Sequence, residues 1–154
     1  MDKFYILLLA LGLLFVYTSS AQEEIAAESA AFPPQAIILA SYRGDENMVR
    51  EILSTGTDKN VRDSLGSTAL HAAMYQSNLA VVKLLLDYGF DPNARDVRNS
   101  NTPLHNAVAA NNLGAARLLI QYRADKLIKN MDGLTPMEKA RKEEKRDLVL
   151  LFMR

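Results

Sequence analysis

The stretch GSTALHAAM, residues 66–74, returns as NTPLHNAVA, residues 101–109, and each copy places one of the chain's two histidines three positions after a threonine. Thr68 and Thr102 are 34 residues apart, and Thr102 and Thr135 are 33 apart. The same program follows each threonine. An apolar residue stands two positions on (Leu70, Leu104, Met137) and alanine five positions on (Ala73, Ala107, Ala140). An apolar pair closes each copy at Leu85–Leu86, Leu119–Ile120 and Phe152–Met153. A further step back of 33 from Thr68 reaches Gln35, after which Ile37, Ala40, Ile52 and Leu53 keep the pattern. A fixed period near 33 over four copies specifies a stacked solenoid rather than a mixed globule.

Each copy reads as two short helices. Thr68 and Thr102 suit N-caps, and Pro103 and Pro136 suit a first helical turn, where a missing amide donor costs nothing. The second helix of the second copy is predicted over residues 79–88, with Val81, Val82, Leu84, Leu85 and Leu86 buried and Gly89 ending it in the left-handed region. DPNARD, residues 91–96, is loop chemistry. The seven glycines are read as turn residues at helix ends.

These residues resemble the ankyrin repeat: GSTALHAA…VVKLLLDYGFDPNA in the second copy, NTPLHNAV…AARLLIQYRADKLI in the third, and GLTPMEKA…DLVLLFM in the fourth. The resemblance implies an all-α ankyrin-repeat solenoid of about four helix-turn-helix repeats with finger loops, at residues 35–63, 64–96, 97–130 and 131–154. The end copies are degenerate, as capping repeats are. EKARKEEKRD, residues 138–147, alternates acids and bases and reads as a solvated outer face. Three departures mark the array. The finger VRNSN, residues 97–101, is one residue longer than its predecessor, Arg123 replaces the helix-ending glycine, and Leu127 stands where Asn60 and Asn93 stand earlier. Irregularity is therefore expected between the third and fourth repeats.

The chain has 154 residues, 18 basic and 18 acidic side chains and no cysteine, which excludes disulfides, thiolate metal sites and a cysteine nucleophile. Charge balance gives no pull toward nucleic acid. Its distribution is polarised, since residues 22–60 carry seven acids against three bases and residues 101–154 ten bases against six acids. The N-terminus opens with Lys3 and an apolar run at residues 4–17, too short to span a bilayer. Ser19 and Ala21 then fit a peptidase cut, so residues 1–21 are read as an export signal cleaved after Ala21 and residues 22–34 as a leader. The mature chain is expected in the periplasm or secreted, monomeric and free of the membrane.

The resemblance gives the histidines a structural role, His71 and His105 tying the first helix to neighbouring loops. Equivalent side chains on stacked repeats lie about 10 Å apart, too far for one metal held at about 2.0 Å. No strained serine elbow or glycine-rich phosphate loop is present, and no carboxylate lies within an apolar run. No enzyme, metal or cofactor is expected. Ankyrin arrays bind protein partners on a concave face made by the fingers and first helices. Repeat matching places Tyr42, Arg43, Leu65, Tyr75, Gln76, Arg98, Asn99, Asn101 and Lys142 there, beside Ser64, Ser67, Ala109, Ala110, Met131 and Leu134. Tyr42 and Tyr75 hold equivalent positions and are expected side by side, with Arg43 and Arg98 near. The function expected is binding of another protein, as an inhibitor, protector or adaptor of an envelope enzyme. The alternatives are an exported effector that meets a host protein and an accessory factor in envelope oxidative-stress defence.

Overall fold

Threonine caps and paired leucines fold as the period requires. The computed structural model describes residues 32–153; the expected export signal, its cleavage point and nearly all of the leader lie outside the described residues. Among them the chain is helical without strands: α1 (Ala36–Arg43), α2 (Glu46–Ser54), α3 (Ala69–Ala73), α4 (Leu79–Tyr88), α5 (Pro103–Ala109), α6 (Leu113–Gln121), α7 (Pro136–Lys142) and α8 (Arg146–Phe152). Each repeat is a hairpin of two helices. The first helices stack α1 on α3 on α5 on α7, and the second helices stack α2 on α4 on α6 on α8.

Helix starts follow from capping chemistry. Asp45, Asn78 and Asn112 accept from Met48, Ala80 and Ala115 amides at the starts of α2, α4 and α6. Asn78 and Asn112 also donate backwards, to the Gly44 carbonyl and to those of Met74 and Gln76. An amide that both accepts and donates therefore caps a helix and fastens it to the preceding repeat. Pro103 and Pro136 open α5 and α7, as predicted.

The core lies between the two helical layers. Ile37, Val49, Ile52, Leu70, Leu85, Leu104, Leu119 and Leu148 are at most 1% exposed. Each such side chain contributes about 1.5–3 kcal/mol by leaving water. The predicted helix over residues 79–88 matches α4, but Leu84 is half-buried rather than fully buried. It lies in the shallow groove between the outer helices, beside Arg50 and Tyr88. Gly114 also departs from expectation: it sits inside α6, where a Cβ would come within 2.8 Å of Leu79 Cδ1.

The fingers project from the stack as tight loops. Asp63 donates its amide to the Ser67 carbonyl, Asp96 to Asn101 and Asn130 to Leu134. The extra residue of the middle finger is absorbed by Ser100 at φ 53°, a left-handed residue within the predicted bulge. Neighbouring fingers are laced by Val97 N–H to Leu65 O at 3.1 Å and Met131 N–H to Asn99 O at 2.8 Å. Arg123 has φ 63°, where the matching Gly56 and Gly89 have φ 81° and 92°. The third-to-fourth junction is otherwise regular. Asp58, Asp91 and Asp125 each accept the amide two residues on, so Leu127 replaces asparagine without altering the turn.

Candidate functional site: the groove between fingers and inner helices

The histidines are fastened at both ring nitrogens. His71 Nδ1 accepts from the Thr68 amide at 3.2 Å and lies 2.9 Å from its hydroxyl, while Nε2 is 3.0 Å from the Asn101 carbonyl. His105 repeats this with Thr102 and the Leu134 carbonyl. A nitrogen that accepts from an amide carries no proton, so each ring is neutral and donates from Nε2. Burial holds both rings below the ordinary histidine pKa, against the carbonyls that favour protonation. Each histidine thus completes a capping box and reaches into the next finger. Glu138 closes the same box at Thr135, with no bond onward among the described residues. These rings have no free nitrogen for chemistry. No cluster of three or more metal-ligating side chains occurs among the described residues.

A groove of about 440 Å³ runs between the fingers and the inner helices. Its floor is Ile38, Leu39 and Tyr42 of α1 with Ala72 of α3 and Tyr75 just beyond it. The fingers supply Asp63 and Leu65 from one repeat and Asp96, Arg98, Asn99 and Asn101 from the next. Leu39, Tyr42, Leu65 and Tyr75 are 51%, 56%, 45% and 51% exposed, apolar surface shared by the floor and one finger. The Tyr75 phenol is pushed up by burial, then by the Asp96 carboxylate, and it also feels Tyr42. Tyr42 and Tyr75 line the same groove floor.

Of the nine candidate residues, Tyr42, Leu65, Tyr75, Arg98, Asn99 and Asn101 line this groove, and three do not. The Gln76 side-chain amide turns back to donate to the Tyr42 carbonyl, over Gly44, and is spent on joining repeats. Arg43 is the exposed last residue of α1, past the groove's edge. Lys142 lies on α7, two repeats beyond Tyr75, and is exposed outside the groove. Asn101 is partly committed to the scaffold, because its carbonyl receives His71 and its side-chain oxygen accepts from Asn130.

Leu39, Asn106 and Asp96 are among the groove residues that the sequence reading did not name. Leu39 stands one helical turn before Tyr42, so their shared face was available from the i, i+3 spacing. Asn106 is 7% exposed at the position matching Leu39 and Ala72, and a polar side chain in that apolar column was the signal. Asp96, also 7% exposed, comes from a polar loop, where sequence gives no sign of burial.

A family model described as ankyrin repeats (3 copies) matches residues 13–96 and 37–130. The chain is 35% identical over 85 residues to glycerophosphocholine phosphodiesterase gde1 of Schizosaccharomyces pombe, covering 54% of this chain and 8% of that protein. It is 41% identical over 68 residues to the transient receptor potential channel pyrexia of Drosophila melanogaster, 44% of this chain and 7% of that one. With a putative ankyrin repeat-containing protein of Treponema pallidum it shares 36% identity over 61 residues, 40% of this chain and 20% of that one. The chain thus spans a fifth or less of these relatives' lengths. The chain belongs to the ankyrin repeat family, and its array is a protein–protein interaction module.

Proposed function

We propose that the chain is exported from the cytoplasm and acts, without catalysis of its own, by holding a partner protein in the groove between fingers and inner helices, as an inhibitor, protector or adaptor of an envelope enzyme. The observation that carries the binding face is the set of Leu39, Tyr42, Leu65 and Tyr75, four half-exposed apolar side chains converging on one groove. Tyrosine and arginine anchors are the residue types that dominate interface energies, and Arg98 closes the finger side. A standard interface needs about 800 Å² from each partner, within reach of one concave face. The apolar run at residues 4–17 followed by Ser19 and Ala21 supports export.

Crosslinked capture from envelope extract tests it, with wild type beside a Tyr42→Ala, Tyr75→Ala, Arg98→Ala variant of equal melting temperature. The proposal predicts one protein captured by wild type, lost with the variant, and altered in activity when the purified chain is added. Equal capture by both proteins refutes the face. Recovery of the chain in the cytoplasmic fraction, with residues 1–21 intact, refutes export.

A further inference from the structure

We infer that the array meets an anionic lipid surface through the side of its fingers turned away from the groove. Leu127, Val97 and Met131 are the central observation. At 78%, 71% and 70% exposure they are the barest large apolar side chains among the described residues, and none of them lines the groove. Val97 stands in the middle finger, Met131 in the last, and Leu127 three residues ahead of that finger. Burial alternates along both segments. Ala94 and Asp96 are buried while Arg95 and Val97 are exposed, and Asn130 is buried while Lys129 and Met131 are exposed. In extended backbone, alternation sets neighbours on opposite sides. Asp96 lines the groove, so Arg95 and Val97 face away from it.

Bonds between fingers gather these side chains into one patch with a column of cations. Arg62 donates to the Arg95 carbonyl at 3.0 Å, and Arg95 to that of Lys129 at 2.7 Å. Arg62, Arg95 and Lys129 belong to none of the ion pairs among the described residues. A guanidinium has five donors, so a carbonyl or two leaves its charge and its other donors free for phosphate. Acids offset the column only in part. Residues 123–132 carry Arg123, Lys126 and Lys129 against Asp125 and Asp132, while Asp63 and Asp96 lie on the groove side.

The fold does not ask for these apolar groups. Leu127 stands where Asn60 and Asn93 stand, and its amide makes the same turn bond to an aspartate two residues back. Val97 and Met131 hold the position that Ser64 holds in the first finger. Side chains this bare have no pocket around them for a rigid plug to fill, so they suit entry into a soft medium. Apolar groups that reach below lipid headgroups, with lysine and arginine held at the phosphates, are how a surface binds an anionic bilayer. No helix among the described residues is long and apolar enough to cross a membrane, and the contact inferred is peripheral. It departs from the membrane-free chain expected from the sequence, and it leaves the groove open to a protein.

The chain has no cysteine, so one introduced thiol takes a polarity-sensitive nitrobenzoxadiazole label cleanly. The full chain is labelled through Met131→Cys or, as control, through Arg117→Cys on α6. Each is titrated with vesicles of phosphatidylglycerol mixed with phosphatidylcholine, and with vesicles of phosphatidylcholine alone. Emission from position 131 should shift to the blue with the anionic vesicles, and emission from position 117 should not. Insertion by the apolar run at residues 4–17 would leave both labels alike, so the position-specific readout separates it from finger contact. Added to the Met131→Cys chain, Leu127→Asn should weaken the titration about tenfold and Lys129→Gln about fivefold. Asn60 and Asn93 are the precedents that keep Leu127→Asn folded, and equal melting temperatures check it. No shift at position 131 with either vesicle overturns the inference and leaves a protein as the patch's occupant. Equal shifts at both positions, equal response to both vesicles, or an unchanged titration in Leu127→Asn also overturns it.

Discussion

Acidification should unfasten the array at its two histidines. His71 and His105 are 1% and 0% exposed, and each accepts a threonine amide at Nδ1, so protonation there sets one N–H against another. Their pKa values lie below the ordinary histidine value because burial disfavours the charged ring. The unfolded chain, with histidines near 6.5, binds more protons than the folded one just below that pH. Their contribution is therefore complete above pH 6.5 and is lost as pH falls through it. Between pH 7.5 and pH 5.5 each histidine costs up to about 1.4 kcal/mol, and the pair up to about 2.7 kcal/mol. Glu138, lowered by the Thr135 amide and hydroxyl, titrates in a more acidic range and does not contribute there. Urea denaturation followed by circular dichroism at pH 7.5 and pH 5.5 measures it. His105→Gln supplies the internal control: a carboxamide oxygen keeps the Thr102 cap, as Glu138 keeps that of Thr135, but the bond to the Leu134 carbonyl is lost. That variant should be about 1 kcal/mol less stable at pH 7.5 and show about half the wild-type pH slope. Wild-type stability that is flat from pH 7.5 to 5.5, or a full slope in the variant, refutes the reasoning.

Three further substitutions test the fold. Leu85→Ala, at a fully buried position of α4, should cost about 2–5 kcal/mol in chemical denaturation. A four-repeat array has little stability to spare, so an unchanged transition would contradict the placement of that side chain. Gly66→Ala puts a Cβ 2.7 Å from Val97 Cγ1 and 2.9 Å from the Val97 amide nitrogen at φ 71°, and should cost at least about 1 kcal/mol while loosening the finger lacing. Hydrogen exchange at the Val97 amide reads that loosening directly. Arg123→Gly relieves a left-handed non-glycine residue and should raise stability by about 0.5–1 kcal/mol, a gain visible as a higher urea midpoint.

The repeat register was legible because it is written in local chemistry. A threonine three residues before a histidine and a glycine after paired leucines each have one structural use, so α4 and the long middle finger followed from spacing, while spacing marked Arg123 only as the residue in the helix-ending glycine's place. The groove was legible by column, since Tyr42 and Tyr75 share a position in consecutive repeats. What sequence hid is how neighbouring repeats spend their polar groups. Gln76 matches an exposed helix end, yet its amide is drawn to the Tyr42 carbonyl of the repeat before it. Asp96 stands among polar neighbours in the chain, and only the finger's fold buries it. Leu84 was placed in the core because an all-apolar run gives no sign of which side faces water.

The measurement that bears most directly on the groove is site-specific photocrosslinking in living cells. A benzophenone amino acid would replace Tyr75, in the groove, and in a second strain Arg117, exposed on α6 of the outer layer. A discrete crosslinked partner band from position 75 and none from position 117 is the expected result. A band from position 117 with none from position 75 would place the partner on the outer helices and contradict the groove as the binding site.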